Sequence, residues 1–112
     1  MLLMSYDFHG AWEQRTDHNS PLYNRPNETE EYQKWNVDSA ARMWHDKGML
    51  REKIVIGLPT YARGWTLQNP KDHGIGAPSV GPSMATKYVR ESGVAAYYEV
   101  QKRRHLYVSF YS

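Results

Sequence analysis

The sequence predicts an α/β fold, on three observations. A short apolar run, Leu2-Leu3-Met4, opens the chain, turns within a few residues into Tyr6, Asp7 and His9, and stops at Gly10. A second apolar run, Lys53-Ile54-Val55-Ile56-Gly57-Leu58-Pro59, likewise ends in polar and aromatic residues, Thr60-Tyr61-Ala62-Arg63-Gly64-Trp65. Between them lies a single helical pattern. Apolar runs without polar alternation suit strands buried on both faces of a parallel sheet. Strand, helix, strand then makes one right-handed βαβ unit. Ligands of such sheets lie beyond the carboxyl ends of the strands, where both polar segments fall.

In chain order, Asp7 is either turn punctuation or a carboxylate facing a pocket; the matching ends of the two runs favour the pocket. Residues 11–35 form a long polar loop with turn signals at Asn19-Ser20-Pro21 and Asn24-Arg25-Pro26-Asn27, and loops of that length are usually functional or disordered. Trp12, close to the strand end, favours function. Asn27-Glu28-Thr29 is a glycosylation acceptor pattern, meaningful only in a secreted protein.

Asn36 reads as the N-cap of a helix over Val37 to Lys47, with Asp38 at its positive end and Lys47 at its negative end. Val37, Ala40, Ala41 and Trp44 share one face, which makes Trp44 a core residue. Gly48 ends the helix. With one helix to cover one face, Leu2, Leu3, Ile54 and Ile56 cannot all leave water. From Thr66 the chain is rich in Gly, Pro and Ser, without the glycine spacing of a nucleotide loop. A short helix is expected over Met84 to Ser92, then strands over Val94 to Val100 and Leu106 to Tyr111. These make a small α+β appendage.

Composition narrows the function classes. The 112 residues suffice for one small core. Apolar residues are 40% and charged residues 23%, a globular balance. Mean hydropathy is -0.78 and no apolar run could span a bilayer; Leu2-Leu3-Met4 is also too short for a signal peptide. A net charge of +2 gives no case for nucleic acid, and the cluster Lys102-Arg103-Arg104-His105 reads as a solvated face. There is no cysteine, so no disulfide and no thiolate metal site. Aromatics reach 13%, with nine Tyr and four Trp against two Phe. Such side chains pair a flat apolar face with one polar handle, which suits sugar rings. Taken singly, packing is the simpler account of each.

Three separated motifs carry a family resemblance. Met4-Ser5-Tyr6-Asp7-Phe8-His9-Gly10-Ala11-Trp12-Glu13, followed by His18-Asn19-Ser20-Pro21-Leu22-Tyr23, resembles the sixth-strand segment of glycoside hydrolase family 18, the chitinases and chitinase-like lectins. Lys53 to Trp65 is similar to its seventh strand. Gly76-Ala77-Pro78 and Ala96-Tyr97-Tyr98-Glu99-Val100 resemble the α+β domain inserted after that strand. The resemblance implies part of a (β/α)8 TIM barrel over residues 1–65 and part of the inserted domain over 66–112. It also implies a substrate-assisted mechanism, in which an acid protonates the glycosidic oxygen and the substrate's N-acetyl oxygen attacks the anomeric carbon.

By the same resemblance, Tyr6 and Asp7 hold and polarise that acetamido group, above Met4 in the floor. Trp12 stacks on a sugar beyond the cleavage point. Tyr61 and Arg63 hydrogen-bond the sugars, and Glu91 makes an insertion-domain contact. The implied parent is a secreted monomer that takes chitin or N-acetylglucosamine oligosaccharides and uses no metal or organic cofactor, with no nucleic-acid or membrane partner.

The departures are specific. The family's Asp-x-x-Asp-x-Asp-Trp-Glu motif, which supplies the acid, is absent from all 112 residues, as is the eighth-strand tryptophan segment. Glu13, Glu91 and Glu99 lie in the wrong motifs to replace the acid. Gln101 stands where most relatives have a cysteine, Ala62 where glycine is usual, and after Val100 the resemblance ends. The expectation is an internal fragment of a chitinase-like chain, inactive alone. Retention of Tyr6 and Asp7 favours an enzyme over a lectin that binds oligosaccharide without cutting it. An unrelated small α/β interaction domain is the third reading.

Overall fold

The computed structural model describes residues 1–102 and 108–111, the last four by their backbone. The chain divides into two compact units: Met1–Phe8 with Ser20–Leu58, and His9–Asn19 with Pro59–Ser112.

In the first unit, β1 (Leu2–Leu3) runs parallel to β2 (Val55–Ile56), pairing Leu2 with Val55 and Leu3 with Ile56. The parallel pairing follows the βαβ pattern. The expected strand over Lys53–Pro59 is shorter, because a 3₁₀ turn takes Arg51–Lys53 and Pro59 has no N–H to donate. Burial on both faces is not reached either. Leu3 is buried, but Leu2 is 81% exposed and Val55 54% exposed.

The helix α1 (Val37–Asp46) forms where the sequence places it. Asn36 caps it, its side-chain oxygen accepting the Ser39 N–H at 2.8 Å while its amide donates to Gln33 O at 2.8 Å. Lys47 is the C-cap, and Gly48 follows at φ 100, a conformation glycine adopts freely. Of the apolar stripe, only Val37 is buried; Ala40 and Ala41 are half-buried. Trp44 is 39% exposed and is not core, which corrects the expectation. A stripe marks a face able to pack, and burial needs an opposing surface that this unit lacks at Trp44.

The second unit is an antiparallel sheet around β3 (Tyr61–Leu67). β4 (Ser79–Pro82) pairs with residues 65–67, β5 (Val94–Ala96) with 61–63 and β6 (Val108–Tyr111) with 63–66. The polar aromatic end expected after β2 is thus itself a seven-residue strand, which runs unbroken through the 65/66 boundary drawn from the sequence. Tyr61, Trp65 and Thr66 favour it. Ala62, Trp65, Leu67, Ala77 and Ala95 form the core, with Trp65 at 0% exposure.

Two expected elements differ. No helix forms over Met84–Ser92, where Arg90 sits at φ 58, outside helical space for an L-residue. The run Val94–Val100 splits into β5 and α2 (Tyr97–Lys102). Glu99 explains the second. Its carboxylate accepts the N–H of Ala96 at 3.1 Å, the reach-back of a capping box, and so starts α2. It also accepts the Thr86 hydroxyl at 2.8 Å and the Tyr88 N–H at 2.9 Å. Over 86–90 a single helical turn closes, the Arg90 N–H reaching Thr86 O at 3.2 Å, and the left-handed φ of Arg90 ends it there. The expected last strand is present as β6; Leu106, Tyr107 and Arg103-Arg104-His105 lie outside the described residues.

Candidate carbohydrate site

Residues named from the sequence fall in both units. Tyr6 and Asp7 lie in the first, just past β1. The strands being parallel, β1 and β2 leave the sheet at the same end, where the Ser5 hydroxyl donates to Gly57 O at 3.0 Å and the Gly57 N–H to Leu3 O at 2.8 Å. Gly57 is a residue that sequence reasoning passed over. A Cβ there would sit 2.9 Å from Leu3 O and 3.0 Å from Tyr6 Cε1, so its lack of a side chain lets the Tyr6 ring close onto the Gly57 backbone just past β2. Asp7 is exposed and stands at φ 60, a left-handed conformation that Asp tolerates better than most residues. Observed strain of this kind gathers at functional sites. Met4 is exposed.

The second unit brings Trp12, Tyr61 and Arg63 together. The Arg63 guanidinium carbon lies 5.2 Å from the Trp12 ring centroid and 5.6 Å from that of Tyr61. Contacts of this type contribute about 0.5–1 kcal/mol at exposed sites. Strand geometry explains the Tyr61–Arg63 pair, since residues two apart on β3 point to one face. Trp12 is 60% exposed, so much of its ring is open to a ligand. Asn19, fully buried, donates its side-chain amide to Tyr61 O at 3.3 Å and fixes the start of β3. Glu91 is exposed in the turn before β5, three residues ahead of Val94, the register partner of Arg63.

Next to Trp12 in the chain, buried His9 pairs with half-buried Glu13. His9 is 1% exposed and its Nδ1 is 3.0 Å from the Glu13 carboxylate. A carboxylate can only accept, so Nδ1 carries the hydrogen.

Among the described residues, Glu99 is the one carboxyl whose pKa shifts clearly. Burial by itself would raise it, but the Tyr88 N–H, the Thr86 hydroxyl and the Ala96 and Val89 N–H groups outweigh burial and hold it below the ordinary glutamate value. A carboxyl held ionised by four donors is a structural anchor and has no proton to give.

Residues 1–109 match the family model for Glycosyl hydrolases family 18. The chain belongs to that family. The match runs past Val100, where the resemblance had been expected to end. A probable endochitinase of Caenorhabditis elegans is 52% identical over 99 residues, covering 88% of this chain and 16% of that protein. An immunomodulatory active chitinase from Trichuris suis superposes with a TM-score of 0.85 at 56% identity, over 87% of this chain and 26% of that one. Human YKL-39, described as a pseudo-chitinase with retained chitooligosaccharide binding properties, gives a TM-score of 0.85 at 41% identity, over 89% and 28% of the two chains. The family 18 chain described here therefore spans well under half of these relatives, and its mixed helices and strands accord with their α/β catalytic domains.

Proposed function

We propose that this chain is part of a chitinase-like glycoside hydrolase that cleaves β-1,4-linked N-acetylglucosamine polymers by substrate-assisted, retaining hydrolysis. In this reading residues 1–65 belong to a (β/α)8 barrel and 66–112 to its inserted α+β domain. The observation that carries it is the Arg63 guanidinium within reach of the Trp12 and Tyr61 rings. An aromatic face takes the CH-rich side of a pyranose, and guanidinium N–H groups beside it take hydroxyl and acetamido oxygens.

Tyr6 donates its hydroxyl to the substrate's acetamido oxygen and holds it against the anomeric carbon. The Asp7 carboxylate faces the positive charge that spreads over the oxazolinium ring as that bond forms. A fixed dipole and a fixed charge stabilise the transition state without reorganising. The glycosidic oxygen takes its proton from a glutamic acid supplied by sequence outside these 112 residues. Met4, Trp12, Tyr61, Arg63 and Glu91 bind sugar.

The test is Asp7→Asn in the protein that carries this chain. Asn keeps a short polar side chain tolerant of φ 60 while removing the charge. Turnover of N-acetylglucosamine oligomers is expected to fall by about 10²–10³-fold, with binding of the same oligomers little changed. Turnover within twofold of the parent would return Asp7 to a turn residue.

A second reading is a chitin-binding lectin, favoured by the likeness to YKL-39. Tight oligomer binding by the unmodified protein, with no turnover at all, would establish it.

A further inference from the structure

Gly10 is buried, and its φ is not positive, so conformational freedom does not explain a glycine there. Space does. A Cβ on Gly10 would overlap Cζ3 and Cη2 of Trp12 and lie 2.7 Å from Cε3, well inside van der Waals contact. The indole of Trp12 thus lies folded back on the Gly10 backbone, in the volume a side chain would fill. The short segment that carries it is held by three contacts. Gly10 O accepts the Glu13 N–H at 3.0 Å, closing a turn around Trp12, and the indole N–H of fully buried Trp65 at 3.1 Å. The side chains at the two ends of that turn then pair, His9 Nδ1 to Glu13 at 3.0 Å.

We propose that Gly10, His9 and Glu13 are positioning residues for oligosaccharide binding, fixing the Trp12 ring over Gly10 beside Arg63 before any sugar arrives. The proposal rests on the reading of Trp12 as a sugar-stacking residue. A preset ring spares the ordering of a large side chain at each binding event, which is how preorganisation raises affinity. Touching no sugar themselves, Gly10, His9 and Glu13 act through Trp12 alone.

The experiment is a double-mutant cycle on the protein that carries this chain, read as the Kd for the β-1,4-linked N-acetylglucosamine tetramer. Gly10→Ala, Glu13→Ala and Glu13→Gln are each measured with Trp12 present and with Trp12→Ala. Trp12→Ala alone is expected to weaken binding by about 3- to 10-fold, the range for a lost aromatic contact. Gly10→Ala is expected to weaken it comparably with Trp12 present and to change nothing once Trp12 is gone. Glu13→Gln, which keeps a hydrogen-bond acceptor for His9, is expected to restore most of what Glu13→Ala loses. If Gly10→Ala alone fails to fold, a folded Gly10→Ala/Trp12→Ala double variant supports the same clash with the ring.

No effect of Trp12→Ala would overturn the sugar-stacking reading and this proposal with it. A Trp12→Ala effect with unaltered Gly10→Ala and Glu13→Ala binding would overturn the positioning proposal alone. So would Gly10→Ala losses of equal size in both backgrounds.

Discussion

Thr86 donates its hydroxyl to Glu99 across 13 residues, at 2.8 Å, with Thr86 buried and Glu99 only 5% exposed. That bond, with those from Tyr88 and Ala96, ties the 86–90 loop to the first turn of α2. Through the β5–β3 register it also supports the strand end that carries Tyr61, because Tyr61 pairs with Ala96. Glu99→Ala is expected to lower the melting temperature more than Thr86→Ala does. The alanine strands every donor the carboxylate served, whereas loss of the Thr86 hydroxyl removes one of them. Equal melting temperatures for the two variants would show that Glu99 is not the hub.

The same carboxylate sets a pH dependence. Its folded-state pKa is depressed below the ordinary 4.5, so the folded form binds the proton less readily than the unfolded form. Its stabilisation is fully present above about pH 4.5 and is lost as pH falls through the lower folded value. Thermal melts from pH 7 to pH 3 are expected to show Glu99→Gln losing less stability across the acid limb than the parent. Identical acid limbs would place the responsible carboxyl elsewhere.

Trp65 is fully buried at the centre of β3 and spends its single donor on Gly10 O. Trp65→Ala is expected to cost about 3–5 kcal/mol, as large core truncations do. Trp65→Phe keeps most of the packing and leaves Gly10 O with one donor fewer, so about 1 kcal/mol is expected. Chemical denaturation of the two variants separates packing from hydrogen bond.

Asn36 serves two backbone groups at once, accepting from Ser39 and donating to Gln33. Asn36→Ala is expected to cost about 0.5–2 kcal/mol. Asn36→Asp keeps the acceptor and, near the positive helix end, is expected to recover most of it. A variant as stable as the parent would mean that water caps α1 equally well.

The features legible from sequence are those whose causes are local. Asn36 and Gly48 bound α1 through their own backbone preferences, and two unalternating apolar runs give the parallel pairing of β1 with β2. Misreadings share the opposite character. Ala95-Ala96-Tyr97-Tyr98 suits strand or helix equally, and the choice falls to Glu99 with partners 13 and 11 residues away. Trp44 has the right periodicity for a core residue but no surface to meet. At the candidate site the motif gave Trp12, Tyr61 and Arg63, which the fold does gather. Gly57 and Gly10 stayed hidden, because their need for no side chain comes from rings that settle on them only after folding.

The 112 residues alone are not expected to hydrolyse N-acetylglucosamine oligomers, and they are expected to fold only marginally. The first unit contains a two-stranded sheet, marginal in water without further strands or a covering layer. Its apolar surface remains wet, with Leu58 77% exposed alongside Leu2 and Val55. Exposed apolar groups and unpaired strand edges favour association with other chains. The antiparallel unit around β3, with Trp65 enclosed, is expected to hold more of the structure. Weak near-ultraviolet circular dichroism, binding of an apolar dye and concentration-dependent association are therefore the expected outcome. A sharp cooperative melt of a monomer would show that the two units stabilise themselves. Hydrolysis by this chain alone would mean that one of its own carboxyls delivers the proton, and Glu99→Gln with Glu91→Gln and Glu13→Gln would locate it.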